Sequence, residues 1–244
     1  MFLSTIELGP DAEHEPAFWR EVAAPGGAHR ALWRLFSRGP EQRRDFLFRH
    51  ETAMGGRPRF YALSAQPPLE EVGNGLWSIK ARPFAPKLVE GDRLHFSLRA
   101  SPTVAKKTKE TEKGRKSRRH DLVMDAKRRA KDRKNFDLVT AVREAGERWL
   151  GGQALRSGFE LARGPAEVVG DDGLFEEQEV VLLKVDGYRQ HRLLRRGKSP
   201  IQFSTVDYEG VLVVRDPAVF VKQVGLGFGP QRAFGCGLML LRRA

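Results

Sequence analysis

Ala28-His29-Arg30-Ala31-Leu32-Trp33-Arg34-Leu35-Phe36-Ser37, then Phe46-Leu47-Phe48-Arg49-His50-Glu51, then Arg57-Pro58-Arg59-Phe60-Tyr61-Ala62-Leu63-Ser64-Ala65, carry the clearest run of periodic apolar residues in the chain. Ala28, Leu32, Leu35 and Phe36 recur at the spacing of one helix face, so residues 28–37 read as a helix. The two runs after it are short and apolar and flank Met54-Gly55-Gly56, so they read as two strands joined by a turn. Upstream, Met1–Leu8 reads as a strand that begins at the first residue, and Pro25-Gly26-Gly27 breaks the chain before the helix. Downstream, the acidic segment Leu69–Val72 reads as a helical turn. Arg93-Leu94-His95-Phe96-Ser97-Leu98-Arg99 alternates polar and apolar residues as a strand does, and Ser101-Pro102 ends it.

The resulting order, β-α-β-β-(α)-β, is the ferredoxin-like pattern. The second half repeats it in degenerate form without any sequence repeat. Asp137–Leu150 reads as a helix closed by Gly151-Gly152. Strands follow near Phe159–Ala162, Val180–Val185 and Ile201–Val214. Asp216-Pro217 supplies an N-cap and a proline at the first helical position for a helix running to about Val224. Gly227-Phe228-Gly229-Pro230-Gln231-Arg232-Ala233-Phe234-Gly235-Cys236-Gly237 then leads into a last strand, Leu238–Leu241. The expected fold class is therefore α+β, with two tandem ferredoxin-like units at 1–103 and 137–244 and a basic connecting segment at 104–136 that is either a linker or an insertion.

Charge points to the partner. The chain has 244 residues, 40% of them hydrophobic, and a formal net charge of +12. It can therefore fill a core while carrying a strongly basic surface. RNA or DNA is the leading partner and an anionic membrane a weaker one. Residues 104–134 hold 14 Lys or Arg against 5 Asp or Glu, so most of the net charge sits in one eighth of the chain. Lys106–Arg119 has almost no apolar residues and is expected to be mobile without a partner. A second cluster, Arg189, Arg192, Arg195, Arg196 and Lys198, has no acid between Tyr188 and Ser204 and falls where two strands should join. The glycine-rich loop at 227–237 can turn outward several backbone N–H groups of the kind that hold phosphate oxygens. Cys236 is the single cysteine, which excludes an intrachain disulfide and fits a reducing compartment. Met1–Leu8 lacks the basic and apolar regions of a signal peptide, and no run of about 18 apolar residues exists to span a membrane. The chain reads as cytoplasmic.

Few known chemistries fit these residues. None of the six histidines (His14, His29, His50, His95, His120 and His191) is paired at metal-ligand spacing, and a lone cysteine cannot complete a zinc site. The glycine loop lacks the Gly-Lys-Ser/Thr ending of a P-loop, and no Gly-x-Ser-x-Gly elbow is present. Cleavage of RNA needs neither. The substrate's own 2′-hydroxyl is the nucleophile, and the protein supplies a base, an acid and cations near the phosphate. His29 suits that work because it opens a helix, with Arg30, Arg34 and Ser37 on the helix's polar side. The same position also suits a plain polar residue at a helix start.

Several segments resemble the CasE family. They are Met1-Phe2-Leu3-Ser4, His29–Phe36, Arg44-Asp45-Phe46-Leu47-Phe48, Phe96-Ser97-Leu98-Arg99-Ala100-Ser101-Pro102, Tyr208-Glu209-Gly210-Val211-Leu212 and the glycine loop. CasE proteins are the repeat-RNA processing endoribonucleases of type I-E CRISPR systems and subunits of the Cascade complex. The resemblance implies two ferredoxin-like (RRM-like) domains with RNA along the face between them. It implies recognition of a repeat hairpin and cleavage at the hairpin's 3′ base to cyclic phosphate or 3′-phosphate and 5′-hydroxyl ends. Neither metal nor cofactor is implied. The guide RNA stays bound, and other Cascade subunits, especially the adjacent backbone subunit, are the protein partners.

His29 matches the family's catalytic histidine, and Arg34 and Ser37 fall near positions where members carry a helper lysine and serine. Where members often carry a tyrosine this chain has Gly26. That departure keeps open a second reading, a non-cleaving RNA-binding cap subunit. The RNA-binding candidates are Arg30; Lys106, Lys107, Lys113, Arg115, Lys116, Arg118 and Arg119 in the basic segment; Arg189, Arg192, Arg195, Arg196 and Lys198 on the hairpin; and Gly227, Gly229, Arg232 and Gly235 in the glycine loop.

Overall fold

The computed structural model describes residues 1–244 apart from 25, 40, 43–44, 54–55, 70–71, 73–74, 108–116, 130–136, 170–173 and 196. Strand β1 (Phe2–Leu8) turns Ser4 and Ile6 into the interior. After α1 (Pro16–Ala23) and α2 (Gly27–Phe36), β2 (Phe46–Thr52), β3 (Pro58–Ser64) and β4 (Trp77–Pro83) complete an antiparallel sheet in the order β2-β3-β1-β4. Helix α2 lays Leu32, Leu35 and Phe36 onto Ile6, Phe46, Phe48 and Phe60 of that sheet. This is the ferredoxin-like unit expected from the helix spacing and the two apolar runs.

The second unit begins at β5 (Arg93–Ala100). A hairpin of β6 (Thr103–Lys107) and β7 (Ser117–Asp121) follows, then α3 (Leu122–Arg129) and α4 (Leu138–Ala154). Next come β8 (Phe159–Leu161), the hairpin β9 (Arg163–Val169) to β10 (Phe175–Val181), β11 (Leu183–Arg195), β12 (Lys198–Val214), α5 (Pro217–Leu226) and β13 (Met239–Arg243). The second sheet runs β11-β12-β5-β13, with β8 paired to the end of β12. Its pairs are antiparallel.

Strand β5 corrects the expected domain boundary. Its alternation does mark a strand with one buried face, and Leu94, Phe96, Leu98 and Ala100 are buried. It does not close the first sheet, however. It pairs with β12 from Ala100↔Val206 to Arg93↔Val213, and with β13 on its other edge. The strand that does close the first sheet is β4, whose outward Lys80, Arg82 and Pro83 leave little apolar signal to read. The basic stretch after residue 103 is thus an insertion between the first strand and first helix of the second unit, not a linker between units. The ends of the segment expected to be mobile, Lys106–Arg119, form a ladder in which Lys106 pairs with Arg118 and Lys107 with Ser117. The turns read at 54–56 and 69–72 lie partly outside the described residues.

Helix α4 runs past Gly151-Gly152 to Ala154, because burial of Leu150 and Ala154 outweighs two exposed-face glycines. Asp137 caps it, accepting from the backbone N–H groups of Val139 and Thr140 at 3.0 Å each.

The two units share a core. Phe46 and Phe48 face α2, whereas Leu47, between them on β2, packs with Leu63 into the cluster of Leu98, Trp149, Phe228 and Leu238. The glycine loop makes this contact. Gly227 has φ +76°, and a β carbon there would stand 2.8 Å from the Leu47 side chain. Gly227→Ala is expected to destabilise the protein by about 1–3 kcal/mol through backbone strain, with Leu47 displaced in addition. Chemical denaturation of the RNA-free protein checks this.

Candidate active site

A cleft of about 310 Å³ opens between the two units. One wall is the first unit: Gly26 and His29 at the start of α2, and Phe48 and His50 on β2. The other wall is the second: Arg99 on β5, Arg189 and His191 on β11, and Phe203 and Thr205 on β12. Phe234 and Gly235 of the glycine loop also line it.

His29 sits in the first turn of α2, and its ring is surrounded by Phe46, Trp33 and Phe48 at centroid distances of 5.9, 6.0 and 6.2 Å. Gly26 is the left-handed N-cap of that helix, with φ +71°. A side chain at Gly26 is therefore strained, so this loop is built around glycine and not merely shorn of a tyrosine. The space beside Gly26 is bounded by Arg30 and Phe234. The Arg30 Nη1 atom and the Phe234 ring each lie 3.8 Å from where a β carbon would be.

On the facing wall, Arg99 is gripped by Asp207, its strand partner on β12. Its Nε donates to Oδ1 at 2.7 Å and its Nη2 to Oδ2 at 2.8 Å. This bidentate geometry fixes a half-buried guanidinium at the cleft. Arg99 Nη1 also donates to the His50 carbonyl at 3.4 Å, tying the walls together. His191 stacks on Phe203 at 4.7 Å, Phe203 stacks on Phe234 at 5.0 Å, and His191 Nε2 lies 2.9 Å from Thr205 Oγ1. Burial, then Arg189 and Arg99, hold His191 below the usual histidine range. Burial, then Arg99, lower His50 as well, against a smaller opposing pull from Glu51. His50 keeps an exposed edge, yet protein atoms crowd its ring closely enough for desolvation to be the larger cause.

The candidates read from sequence divide. His29 and Gly235 line the cleft with Arg189, and Arg30 reaches its edge. Arg34 is turned away: it is exposed and donates to both carboxylate oxygens of Glu21 on α1, at 2.9 and 3.1 Å. The Ser37 hydroxyl donates to the Gly39 carbonyl at 3.3 Å. Neither Arg34 nor Ser37 is brought to His29 across the cleft. Arg232 folds onto its own loop, donating to the Gly229 carbonyl at 3.3 Å and to that of Gly227 at 3.4 Å, so these three residues hold the loop's shape. Arg192 is exposed on β11, and Arg195 and Lys198 are paired at the hairpin end. Lys106, Lys107, Arg118 and Arg119 lie in the β6–β7 ladder. Lys113, Arg115, Lys116 and Arg196 lie outside the described residues. Cys236 is buried, which pushes its thiol up to about 12, as suits a packed residue and not a nucleophile.

Sequence reading missed His50, Arg99, His191, Phe203 and Phe234 as site residues. The one local signal was His191 lying between Arg189 and Arg192 in the basic hairpin. Among the described residues, no three His, Cys, Asp or Glu side chains gather as a metal site, and no helix is long and apolar enough to cross a membrane.

Two packed ferredoxin-like units with histidines and arginines facing each other across the junction define a tandem ferredoxin-like protein with a basic cleft. The chain belongs to the CRISPR associated protein family, whose model matches residues 1–243. It is 30% identical to the CRISPR-associated endoribonuclease Cse3 of Thermus thermophilus, over 98% of each chain. It is 29% identical to the CRISPR system Cascade subunit CasE of Escherichia coli, over 87% of this chain and 89% of that one. Among solved structures it resembles T. thermophilus Cse3 bound to an RNA representing a pre-cleavage complex, with a TM-score of 0.68 and 24% identity over 99% and 98% of the two chains. It also resembles Cas6e from E. coli, with a TM-score of 0.58. The α+β, two-unit ferredoxin-like class expected from the sequence is thereby borne out.

The lowered histidines carry a pH consequence. His50 and His191 bind protons more weakly folded than unfolded, so the unfolded chain takes up more protons as pH falls below about 6.5, the ordinary histidine value. Their contribution to stability is complete above that pH and is lost as pH falls through the folded values. In urea titrations at stepped pH, the His50→Gln/His191→Gln protein is expected to lose less stability between neutral pH and pH 5 than the native protein.

Proposed function

We propose that this chain is an endoribonuclease that binds the hairpin of a CRISPR repeat and cleaves precursor CRISPR RNA at the hairpin's 3′ base. The reading is supported chiefly by His29, placed in an arginine-lined cleft between the units of a chain 30% identical across its length to an endoribonuclease of CRISPR systems. Protein donors and aromatic faces fit an RNA strand laid along this junction: the guanidiniums of Arg99 and Arg189 suit a phosphate, and Phe203 and Phe234 suit a splayed base. The 2′-hydroxyl on the 5′ side of the cut attacks phosphorus, His29 takes its proton, and the products carry a 2′,3′-cyclic phosphate and a 5′-hydroxyl. No metal is called on, because the arginines supply the charge that the phosphorane needs.

The basic hairpins lie on the elements that would follow the RNA stem. In A-form RNA they would read shape and phosphates more than base edges. The protein works in the cytoplasm, keeps the cleaved guide RNA bound and joins a Cascade-type complex through its adjacent backbone subunit. A non-cleaving cap subunit is the second reading, favoured by Gly26, whose left-handed backbone leaves no hydroxyl there to meet the scissile phosphate.

Incubation of the native protein with cognate repeat RNA in EDTA is expected to give one cut with cyclic phosphate and 5′-hydroxyl ends. His29→Ala should retain hairpin binding while cleavage falls by about 10²–10⁴-fold, the usual worth of a general acid or base. A 2′-deoxy sugar at the cut should abolish the reaction. Intact RNA after incubation with the native protein would select the cap reading.

A further inference from the structure

An in-line displacement at phosphorus places the attacking and leaving oxygens on opposite sides of the phosphate, so the group that accepts one proton and the group that donates the other work best from opposite walls. His29 stands on the first-unit wall. His50 stands on the same wall, with its ring stacked on Phe60 of β3 at 4.9 Å. The histidine on the opposite wall is His191. Resting on the reading of this cleft as an RNA-cleaving site, we infer that His191 is a second catalytic residue, the general acid that protonates the leaving 5′-oxygen.

The surroundings of His191 suit a ring whose proton affinity rises when an anion is bound beside it. On the cleft side the charged and titratable groups facing it are Arg189 on its own strand, Arg99 on β5 and, across the cleft, His29 and His50, with Asp207 held by Arg99; on its other side it lines a second cavity with Arg192, His120, Asp121 and Asp125. Burial, then the guanidiniums of Arg189 and Arg99, disfavour the charged ring. A phosphate seated between Arg99 and Arg189 offsets their repulsion and raises the proton affinity of the ring. Once protonated, His191 Nε2–H donates to Thr205 Oγ1, and the Phe203 face beneath the ring stabilises the cation. With Nε2 engaged, Nδ1–H is the proton left for the substrate. The step balances: His29 removes the 2′-hydroxyl proton, the 2′-oxygen bonds to phosphorus, the P–O5′ bond breaks, and the His191 proton passes to O5′. Water returns both rings to their starting states.

A substrate with sulfur in place of the bridging 5′-oxygen tests this, because a thiolate leaves without a proton. His191→Gln is expected to cleave all-oxygen repeat RNA about 10²–10⁴-fold more slowly and to cleave the 5′-thio RNA at close to the native rate, with hairpin binding kept. Thr205→Val, which spares the imidazole, should show a smaller loss with the same rescue. Native-rate cleavage of all-oxygen RNA by His191→Gln, or equal slowing on both substrates by either variant, overturns the assignment. His29→Ala should be slow on both substrates. If it instead cleaves all-oxygen RNA normally, the cleft's assignment to cleavage fails, and it does so separately from the result for His191.

Discussion

The pairing of β5 with β12 on one edge and β13 on the other is the constraint from which the rest of the molecule follows. It brings residues 93–100, 198–214 and 239–243 into one sheet, and so carries the C-terminal glycine loop back to the first unit. Arg99 and Asp207 are direct partners across that ladder, and their bidentate pair is placed by strand register rather than by any local motif. The Arg99 carbonyl also accepts from the Gly237 N–H at 2.8 Å, while Phe228 N–H donates to the Gly237 carbonyl at 2.9 Å. One strand thus anchors the loop by its backbone and the cleft by its side chain.

The cleft is what this packing leaves between two sheets that share a core at Leu47 but carry polar groups at the rim. Its electrostatics have a single theme. Arg99 and Arg189 make the cleft basic, burial and then Arg99 lower His50, burial and then Arg189 and Arg99 lower His191, and Asp207 is committed to orienting a guanidinium. Such a site favours an anion before any chemistry begins, and anion binding itself raises the proton affinity of the histidines. The stack of His191, Phe203 and Phe234 stiffens the second-unit wall, so the imidazole waits in place and pays little ordering cost on binding.

Much of this was legible along the chain and part was not. The α2 face, the alternation of Arg93–Arg99, the cap at Asp137 and the basic hairpin at Arg189–Lys198 are local patterns, and each emerged in its expected kind of element. The position of His29 at the start of α2 was legible, but it suits a plain polar residue as well, and only the resemblance to the CasE family singled it out. Strand β4 was not legible, since its outward residues are charged and only Trp77 and Ile79 mark it. Arg34 was placed on the right face, but the carboxylate that holds it, Glu21, comes from a separate helix. Arg232 read as a phosphate ligand, yet the loop's own carbonyls hold it.

Local sequence accounts for the strongly basic charge, the two α+β units and the helix that presents His29. These rest on composition, period and capping, which act within a few residues. Long-range pairing put β5 in the second sheet, made the basic stretch an insertion, and brought His191, Arg99 and Phe234 into one cleft with His29. Strand pairing and the closing of a core join residues more than a hundred positions apart. A side chain's partner across such a distance is set by backbone hydrogen bonds and burial that no local pattern encodes.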